Sequence, residues 1–220
     1  MSGLRERKRH KTFTAIHDAG MRLFRERGYN AVTVAEIAEA AEVSRATVFT
    51  YYPAKEHIVL GEAPLAARAL RTVLADARDQ DAVIAGVRAW LGTLVGWVEP
   101  ELVLQLDLAA EVPAIAAARS RLQREIEDEI AAALARVMDP GQPLAPRLVA
   151  GSLTAALSAF EQEAAQRMRR TRRALSPADV DRLLDDAVAF VDGGLERLAA
   201  RAPRRARRAP SRPRPRRTAT

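Results

Sequence analysis

The chain has 220 residues, of which 48% are hydrophobic and 29% are charged, and it contains no cysteine. Without cysteine it has no disulfide framework, no thiolate zinc site and no cysteine nucleophile. The formal net charge of +7 comes from residues 201–220, which hold nine Arg and no acid; the remaining 26 basic and 28 acidic groups give 26 − 28 = −2.

The charge is also uneven within the rest of the chain. Residues 1–56 hold ten Lys or Arg against seven Asp or Glu, whereas residues 57–200 hold 16 against 21. This asymmetry would orient the molecule in the field of DNA. No apolar run follows the basic N-terminus, and no stretch of about 20 residues is free of charge. We therefore expect a cytoplasmic protein that has no membrane segment.

Two short helices are predicted between Thr33 and Lys55. Thr33 and Glu36 form a capping box that opens the first helix at Val34. Ser44 supplies a second N-cap about three residues after the first helix stops, so the two helices must cross steeply. On their own, two such helices are equally typical of a helical hairpin in an all-α core.

The residue types on the second helix favour DNA over a plain hairpin. Val48 is expected to pack inward, and no carboxylate occurs from Val43 to Lys55. Arginine can contact guanine, a threonine methyl can touch the thymine methyl, and alanine permits close approach in the major groove. Phosphate contacts set the register without reading sequence. We assign base reading to Arg45, Ala46, Thr47 and Thr50, and phosphate contact to Thr33, Tyr51 and Lys55.

These segments resemble a known family. An amphipathic helix at residues 12–27 ending in RERGY, followed by TVAEIAEAAEVS and RATVFTYYPAKE, resembles the TetR family of bacterial transcriptional regulators over roughly residues 8–60. The resemblance implies the same base-reading and phosphate-contacting positions. Two residues depart from the family pattern. Glu42 replaces a turn glycine, which predicts either strain in the turn or a slightly different turn conformation. Phe49 replaces a common tyrosine, so that it cannot donate a hydrogen bond to phosphate.

The rest of the chain predicts helices punctuated by Pro and Gly. A connecting helix is expected from about Pro53 to Arg78, with a bend at Gly61 or Pro64. Further helices fit roughly 81–98, 101–112, 114–138, 145–170 and 177–200. The expected fold class is therefore all-α, with an N-terminal three-helix helix-turn-helix domain and a larger helical ligand-binding and dimerisation domain. The domains are expected at 8–56 and 57–200, followed by a disordered Arg/Pro-rich tail at 201–220.

A homodimer is expected from the last two helices. One is crowded with Ala, Gly and Ser, the other carries a broad apolar series, and the family resemblance then indicates a four-helix interface. A twofold pair would also read two half-sites about 34 to 36 Å apart. Packing within one chain is the alternative. The residues assigned to the interface are Leu153, Leu157, Phe160, Leu184, Val188, Val191 and Leu195.

A ligand pocket is expected in the middle helices, where both tryptophans lie among leucines and glycines that leave space. Ordinary core is the alternative for any single residue. The residues assigned to the pocket are Trp90, Leu94, Trp97, Leu104, Gln105 and Leu108. By the resemblance, a small hydrophobic or acyl-type effector bound there moves the connecting helix and releases a palindromic operator. Arg119, Arg121 and Arg124 would meet an anionic head group or pair with acids on the helix surface.

Two other functions stay open at this point. An architectural protein would use the Arg-rich tail to grip phosphates without sequence preference. An enzyme could use a cavity in the helical body, but His10, His17 and His57 lack metal-ligand spacing, and neither GxxxxGK nor GxSxG occurs. We therefore expect a regulator that has no catalytic residues, no metal site and no cofactor.

Overall fold

The computed structural model describes residues 2–94 and 101–173, together with residues 175–194 apart from Pro177, Leu183, Leu184, Ala187, Val188 and Asp192. Within this part of the chain the secondary structure is helical and no β-strand occurs. The predicted all-α fold class is confirmed. No helix in the described ranges is both long and apolar enough to cross a membrane.

The helices follow one another with short connections. Their bounds are α1 Ser2–Arg27, α2 Val34–Ala40, α3 Arg45–Tyr51, α4 Lys55–Leu60, α5 Ala63–Ala75, α6 Gln80–Leu94, α7 Leu102–Glu111, α8 Pro113–Val137 and α9 Ala145–Thr171. Beyond α9, the described residues from 178 to 194 are also helical. Prolines near the first turns of α5, α8 and α9 suit helix starts, because the amide that proline lacks would have no intrahelical partner there.

Two helix boundaries differ from the sequence prediction. α1 begins at Ser2, ten residues before the expected start at residue 12. The connecting helix is interrupted at Gly61, so that α4 and α5 are separate helices. Gly61 has φ +54°, a backbone conformation that L side chains rarely adopt, which explains why the expected bend is a complete break.

The N-terminal helices share one core with part of the helical body. This N-terminal core contains α1 residues such as Ile16 and Phe24, which are nearly inaccessible to solvent. Its buried members are Phe13, Ile16, Ala19, Met21, Leu23, Phe24, Tyr29, Val32, Ile37, Ala38, Val48, Tyr52, Ile58, Val59, Leu108, Val112 and Ile115. Because the last three of these residues lie in α7, at the α7–α8 junction and in α8, the core beneath the helix-turn-helix extends well past residue 56.

A second cluster, the body core, joins α5, α6, α8 and α9 with Val180 and Val191. Trp90 of α6 is buried in it, and its indole Nε1 donates a hydrogen bond of 2.7 Å to the carbonyl oxygen of Ala66 in α5. An apolar ring whose one polar atom is satisfied can be buried without an unpaired donor. The body core therefore ties the helix that follows Gly61 to the rest of the body.

Close packing of α1 against α4 leads to a test with a matched pair of glycines. A Cβ atom on Gly20 would lie 2.6 Å from Cγ2 of the buried Ile58, whereas one on Gly92 would meet no atom of the described residues within 4 Å. We expect Gly20→Ala to destabilise the fold by about 1–3 kcal/mol through overpacking. Gly92→Ala should stabilise α6 by about 0.5–1 kcal/mol. Urea unfolding of both variants measures this, and equal stability of Gly20→Ala and wild type would contradict the packing.

Candidate nucleic-acid interface

The first helix of the helix-turn-helix begins with the predicted capping box. The Thr33 amide donates to Oε2 of Glu36 at 2.8 Å, and the Glu36 amide donates to the Thr33 hydroxyl oxygen at 3.3 Å. Arg27 also lies 2.7 Å from the Glu36 carboxylate. The backbone hydrogen bond from Thr33, with further help from its side chain and from Arg27, lowers the pKa of Glu36 from 4.5 to about 2. A charged Glu36 therefore holds the start of α2.

The turn between α2 and α3 has the strain that the sequence predicted. Glu42 has φ +54°, in the left-handed region that favours glycine. The amide of Val43 nevertheless donates to the carbonyl oxygen of Ala38 at 2.9 Å, and the amide of Glu42 donates to the carbonyl oxygen of Glu39 at 3.0 Å. These bonds satisfy carbonyls at the end of α2, so a non-glycine residue is held in a strained conformation by the surrounding structure.

Helix α3 is fixed at its start, its inner side and its end. The Ser44 hydroxyl oxygen accepts from the Thr47 amide at 3.0 Å, as an N-cap should. Val48 is 1% exposed within the N-terminal core. At the end of the helix the Tyr52 ring stacks on Phe13 with centroids 4.6 Å apart, and its hydroxyl donates to the Phe13 carbonyl oxygen at 3.3 Å. α1 therefore sets the position of α3.

The outward side of α3 carries four exposed residues, which we call the reading face: Arg45, Ala46, Phe49 and Thr50. Three of them were predicted to read bases. The fourth predicted reader, Thr47, is half-buried at the edge of this face. Phe49, whose only sequence signal was its departure from the family pattern, is 46% exposed. The helical spacing could have identified Phe49, because residues 45, 46, 49 and 50 share one side of a helix.

The three predicted phosphate contacts differ in their surroundings. Thr33 is exposed, but its hydroxyl donates to Glu36 at 2.8 Å. Tyr51 is half-buried, with its ring 6.4 Å from that of Phe13. Lys55 is half-buried, and its ammonium donates to the carbonyl oxygens of Tyr29 at 2.8 Å and Val32 at 2.9 Å. Their contact with phosphate stays a prediction.

Lys55 has a structural function that the sequence did not reveal. Its Nζ lies 3.9 Å from the centre of the Tyr29 ring, a distance suited to a cation–π interaction. Burial lowers the pKa of Lys55, and burial together with Glu56 raises the pKa of Tyr29 to about 12. Lys55 thus holds the loop between α1 and α2 through these contacts. Removing it would disturb the helix-turn-helix fold as well as any phosphate contact.

The extension of α1 adds positive charge that the predicted sites did not include. Its exposed side chains from residue 7 onward are Arg7, Lys8, Arg9, His10 and Lys11. His10 lies 3.4 Å from the Glu62 carboxylate, which places this end of α1 beside the start of α5. The sequence signal for this charge is the basic run RERKRHK at residues 5–11.

The helical body contains a cavity of about 120 Å³. Two of the predicted pocket residues, Trp90 and Gln105, line it. Leu104 and Leu108 do not line it: Leu108 is buried in the N-terminal core, and Leu104 packs against that core. These two leucines of α7 are used in the N-terminal core, which is why their assignment to the pocket does not match the structure. Trp97 and the side chain of Leu94 lie outside the described part of the chain.

The cavity combines apolar and polar walls. Trp90, Ile126 and Leu157 form apolar wall, and two paired polar groups complete it. Arg119 donates to the Glu161 carboxylate at 2.6 Å, and Gln123 donates to the Ser158 hydroxyl at 2.5 Å. Arg119 is therefore neutralised by a partner across the α8–α9 packing. The remaining lining residues are Leu60, Ala63, Ala66, Gln105, Leu122 and Thr154.

The predicted dimer residues are placed differently from the expectation. Leu153, Phe160 and Val191 are 3–5% exposed, in the body core of a single chain, and Leu157 packs against that core. They therefore cannot offer much apolar area to a partner. α9 turns its opposite side outward, where Leu148 is 50% exposed, and Phe190 beyond α9 is 74% exposed. Leu184, Val188 and Leu195 lie outside the described residues, as does the 201–220 tail.

Comparison with known proteins agrees with this architecture. The family model for bacterial regulatory proteins of the tetR family matches residues 16–61. Three uncharacterized HTH-type transcriptional regulators, one from Mycobacterium bovis and two from strains of Mycobacterium tuberculosis, are each 30% identical over 142 residues. The match covers 62% of this chain and 66% of each relative, slightly less than two thirds of the relatives' length.

Two solved structures share the fold. The fatty acid degradation regulator FadR from Bacillus halodurans superposes with a TM-score of 0.52 at 18% identity, over 84% of this chain and 96% of that one. A transcriptional regulator from Rhodococcus sp. Rha1 gives 0.50 at 18% identity, over 83% and 96%. The fold and the N-terminal site define a helix-turn-helix protein with a helical body. Its N-terminal segment, residues 16–61, is similar to the TetR family of bacterial regulatory proteins.

The capping box gives a pH-dependent prediction. Because folding depresses the pKa of Glu36, its stabilising contribution is complete above pH 4.5 and is lost as the pH falls towards about 2. Glu36→Gln should therefore be less stable than wild type at neutral pH, and the difference in denaturation midpoint should shrink across that window. The exposed Glu39→Gln on the same helix is the control. A stability difference between wild type and Glu36→Gln that did not change with pH would contradict the assigned role of the Glu36 carboxylate.

Proposed function

We propose that this protein is a DNA-binding transcriptional regulator that inserts α3 into the major groove. The observation that carries the proposal is the exposure of the reading face on a helix whose other side is locked into the N-terminal core. Arg45 would contact a guanine, and Ala46 and Thr50 would lie against base edges, with Thr47 at the border. Residues 8–56 would form the DNA-binding domain and residues 57–200 the regulatory domain. Such a regulator would work in the cytoplasm, beside the chromosome.

Phosphate contacts would surround this face. Thr33 and Tyr51 are the first candidates, and Lys55 would contribute the ammonium proton that its two carbonyl acceptors leave available. The exposed basic residues of α1 would add attraction for the DNA backbone. These contacts would fix the register and leave base choice to α3.

The alternatives are separable by footprinting. A sequence-specific regulator protects a defined, palindromic site, whereas an architectural protein covers DNA uniformly. An enzyme on a helical scaffold would not be retained on DNA even at low salt. The relatives from Mycobacterium are described as transcriptional regulators, which supports the first reading over the enzyme.

We further propose a homodimer that uses the two helices expected from sequence but, apart from Phe160, other residues on them. The outward side of α9 carries small residues beside Phe190, in a groove lined by Ser152, Ala155, Ala156, Ala159, Phe160, Glu163, Asp186 and Phe190. Small side chains let another helix approach closely, and Leu148 and Phe190 would supply apolar area. A second copy is the occupant proposed, because a twofold pair of α3 helices can read two half-sites.

The cavity is the proposed effector site. At about 120 Å³ it is close to the 150 Å³ or so that accommodates benzene and well below the roughly 300–1,000 Å³ of a typical ligand pocket. A small hydrophobic effector with one or two polar groups fits these walls best. An acyl-type effector would need the cavity to open further.

The position of the cavity suggests how an effector would act. Leu60 and Ala63 line it, and they flank the break at Gly61 between α4 and α5. His17 of α1 touches the same junction, because its Nδ1 lies 2.7 Å from the Ile58 carbonyl oxygen. A ligand that displaced this junction would shift α1 and hence α3. Release from DNA by such a shift would make the protein a repressor, provided that the effector binds the released state more tightly.

Base reading by Arg45 is tested by substitution. Arg45→Ala should lower affinity for the selected operator by about 1–3 kcal/mol and relax the base preference at one position of each half-site. Arg121→Ala, which removes an exposed arginine from α8, is the matched control. Fluorescence anisotropy on single-base operator variants measures both effects. If Arg45→Ala kept both the affinity for the operator and the base preference of wild type, Arg45 would not read bases.

The interface is tested by placing a charge on the outward side of α9. Ala155 is exposed and lines the groove, so Ala155→Arg should place a bulky charged side chain where a second helix must approach closely, and shift the protein towards monomers. Ala117→Arg, at an exposed alanine of α8, is the control. Sedimentation velocity distinguishes monomer from dimer. A wild-type monomer, or an Ala155→Arg dimer as tight as wild type, would contradict the proposed interface.

A further inference from the structure

The reading face is mostly apolar. Arg45 is its one charged residue, Ala46 ends in a methyl group, and Phe49 is 46% exposed. Phe49 lies outside the N-terminal core to which its neighbour Val48 belongs. An exposed phenylalanine in the middle of a seven-residue helix contributes little to the stability of the chain. Its surroundings therefore point to an external contact.

The threonine hydroxyls of α3 are already engaged. The Thr50 hydroxyl donates to the Ala46 carbonyl oxygen at 2.9 Å, one turn earlier. The Thr47 hydroxyl pairs with that of Ser44 at 2.8 Å. Since the Thr50 oxygen is turned towards the helix backbone, its methyl group is the part of the side chain left for an outside partner. Among the four residues of the reading face, the side-chain hydrogen-bond donors left for bases are thus those of Arg45.

Helix geometry places the remaining apolar groups together. Successive residues are about 100° apart around an α-helix, so that Ala46 and Thr50 lie opposite the buried Val48 and Phe49 lies beside them. This gives one contiguous patch of methyl groups and a phenyl ring, bordered by the guanidinium of Arg45. In the major groove the 5-methyl of thymine is the apolar group that a base pair presents.

We propose that Phe49, with the methyl groups of Ala46 and Thr50, reads thymine 5-methyl groups, so that thymines specify most of each operator half-site. The inference rests on the proposed function, since it requires α3 to enter the major groove. It extends the thymine contact expected for a threonine methyl to Phe49, which the sequence did not assign to base reading. Deoxyribose contact by the Phe49 ring is the competing possibility, and it would not depend on the thymine methyl.

The test uses the full chain and a duplex selected by this protein from a random library. Each thymine in the protected region is replaced in turn by deoxyuridine, which removes the methyl and keeps the pairing. We expect binding to weaken by about fourfold at each contacted thymine, as expected for loss of one buried methyl-sized group. In Phe49→Ala the penalty should disappear at one or more of these positions, and Phe49→Leu should restore part of it.

Controls separate the outcomes. Val73→Ala, at an apolar residue of α5 that is 44% exposed, should keep the full deoxyuridine penalty. Melting curves of Phe49→Ala should confirm that the helix-turn-helix remains folded. Equal affinity for thymine and deoxyuridine duplexes, a penalty unchanged in Phe49→Ala, or a selected site with no thymine facing α3 would overturn the inference while leaving DNA binding intact. Failure to select any sequence would overturn the proposed function, and the inference with it.

Discussion

The stacking of Phe13 on Tyr52 is the contact on which the presentation of α3 depends. With rings 4.6 Å apart and a hydrogen bond to the Phe13 backbone, it fixes the end of α3 to α1, while Val48 fixes the inner side. A seven-residue helix has little stability of its own. Tertiary packing must therefore hold it, and its outward residues are free for binding because the inward ones supply that stability.

Buried packing also links the helix-turn-helix to the helical body. The N-terminal core is completed by Leu108, Val112 and Ile115, which come from α7, the α7–α8 junction and α8. The helix-turn-helix therefore does not have a separate core of its own. Gly61 and His17 meet at the α4–α5 junction, whose flanking residues line the cavity. A change of side-chain packing at that junction would reach α3 through contiguous buried residues, and this would be the physical basis of the proposed coupling between effector and DNA.

The sequence predicted what depends on local rules. The Thr33 capping box, the Ser44 N-cap, the strained Glu42 and the inward Val48 follow from residue type and spacing, and the structure confirms each of them. It could not predict which side of an apolar helix faces its own chain. Both sides of α9 suit close packing, and only the tertiary arrangement buries Leu153 and exposes Leu148. For the same reason the sequence wrongly assigned Leu104 and Leu108 to the pocket, and it could not predict the hydrogen-bond partners of Lys55.

Position-specific cleavage of DNA tests the central claim most directly. The chain contains no cysteine, so Ala46→Cys provides a unique attachment point on the reading face for an iron chelate that generates hydroxyl radicals. On the selected operator, cleavage should centre on major-groove edges at two positions about 34 to 36 Å apart, or at a related spacing. The same chelate on Arg121→Cys serves as the background. Cleavage at position 46 that does not exceed this background, on DNA that the protein still binds, would show that α3 does not enter the groove.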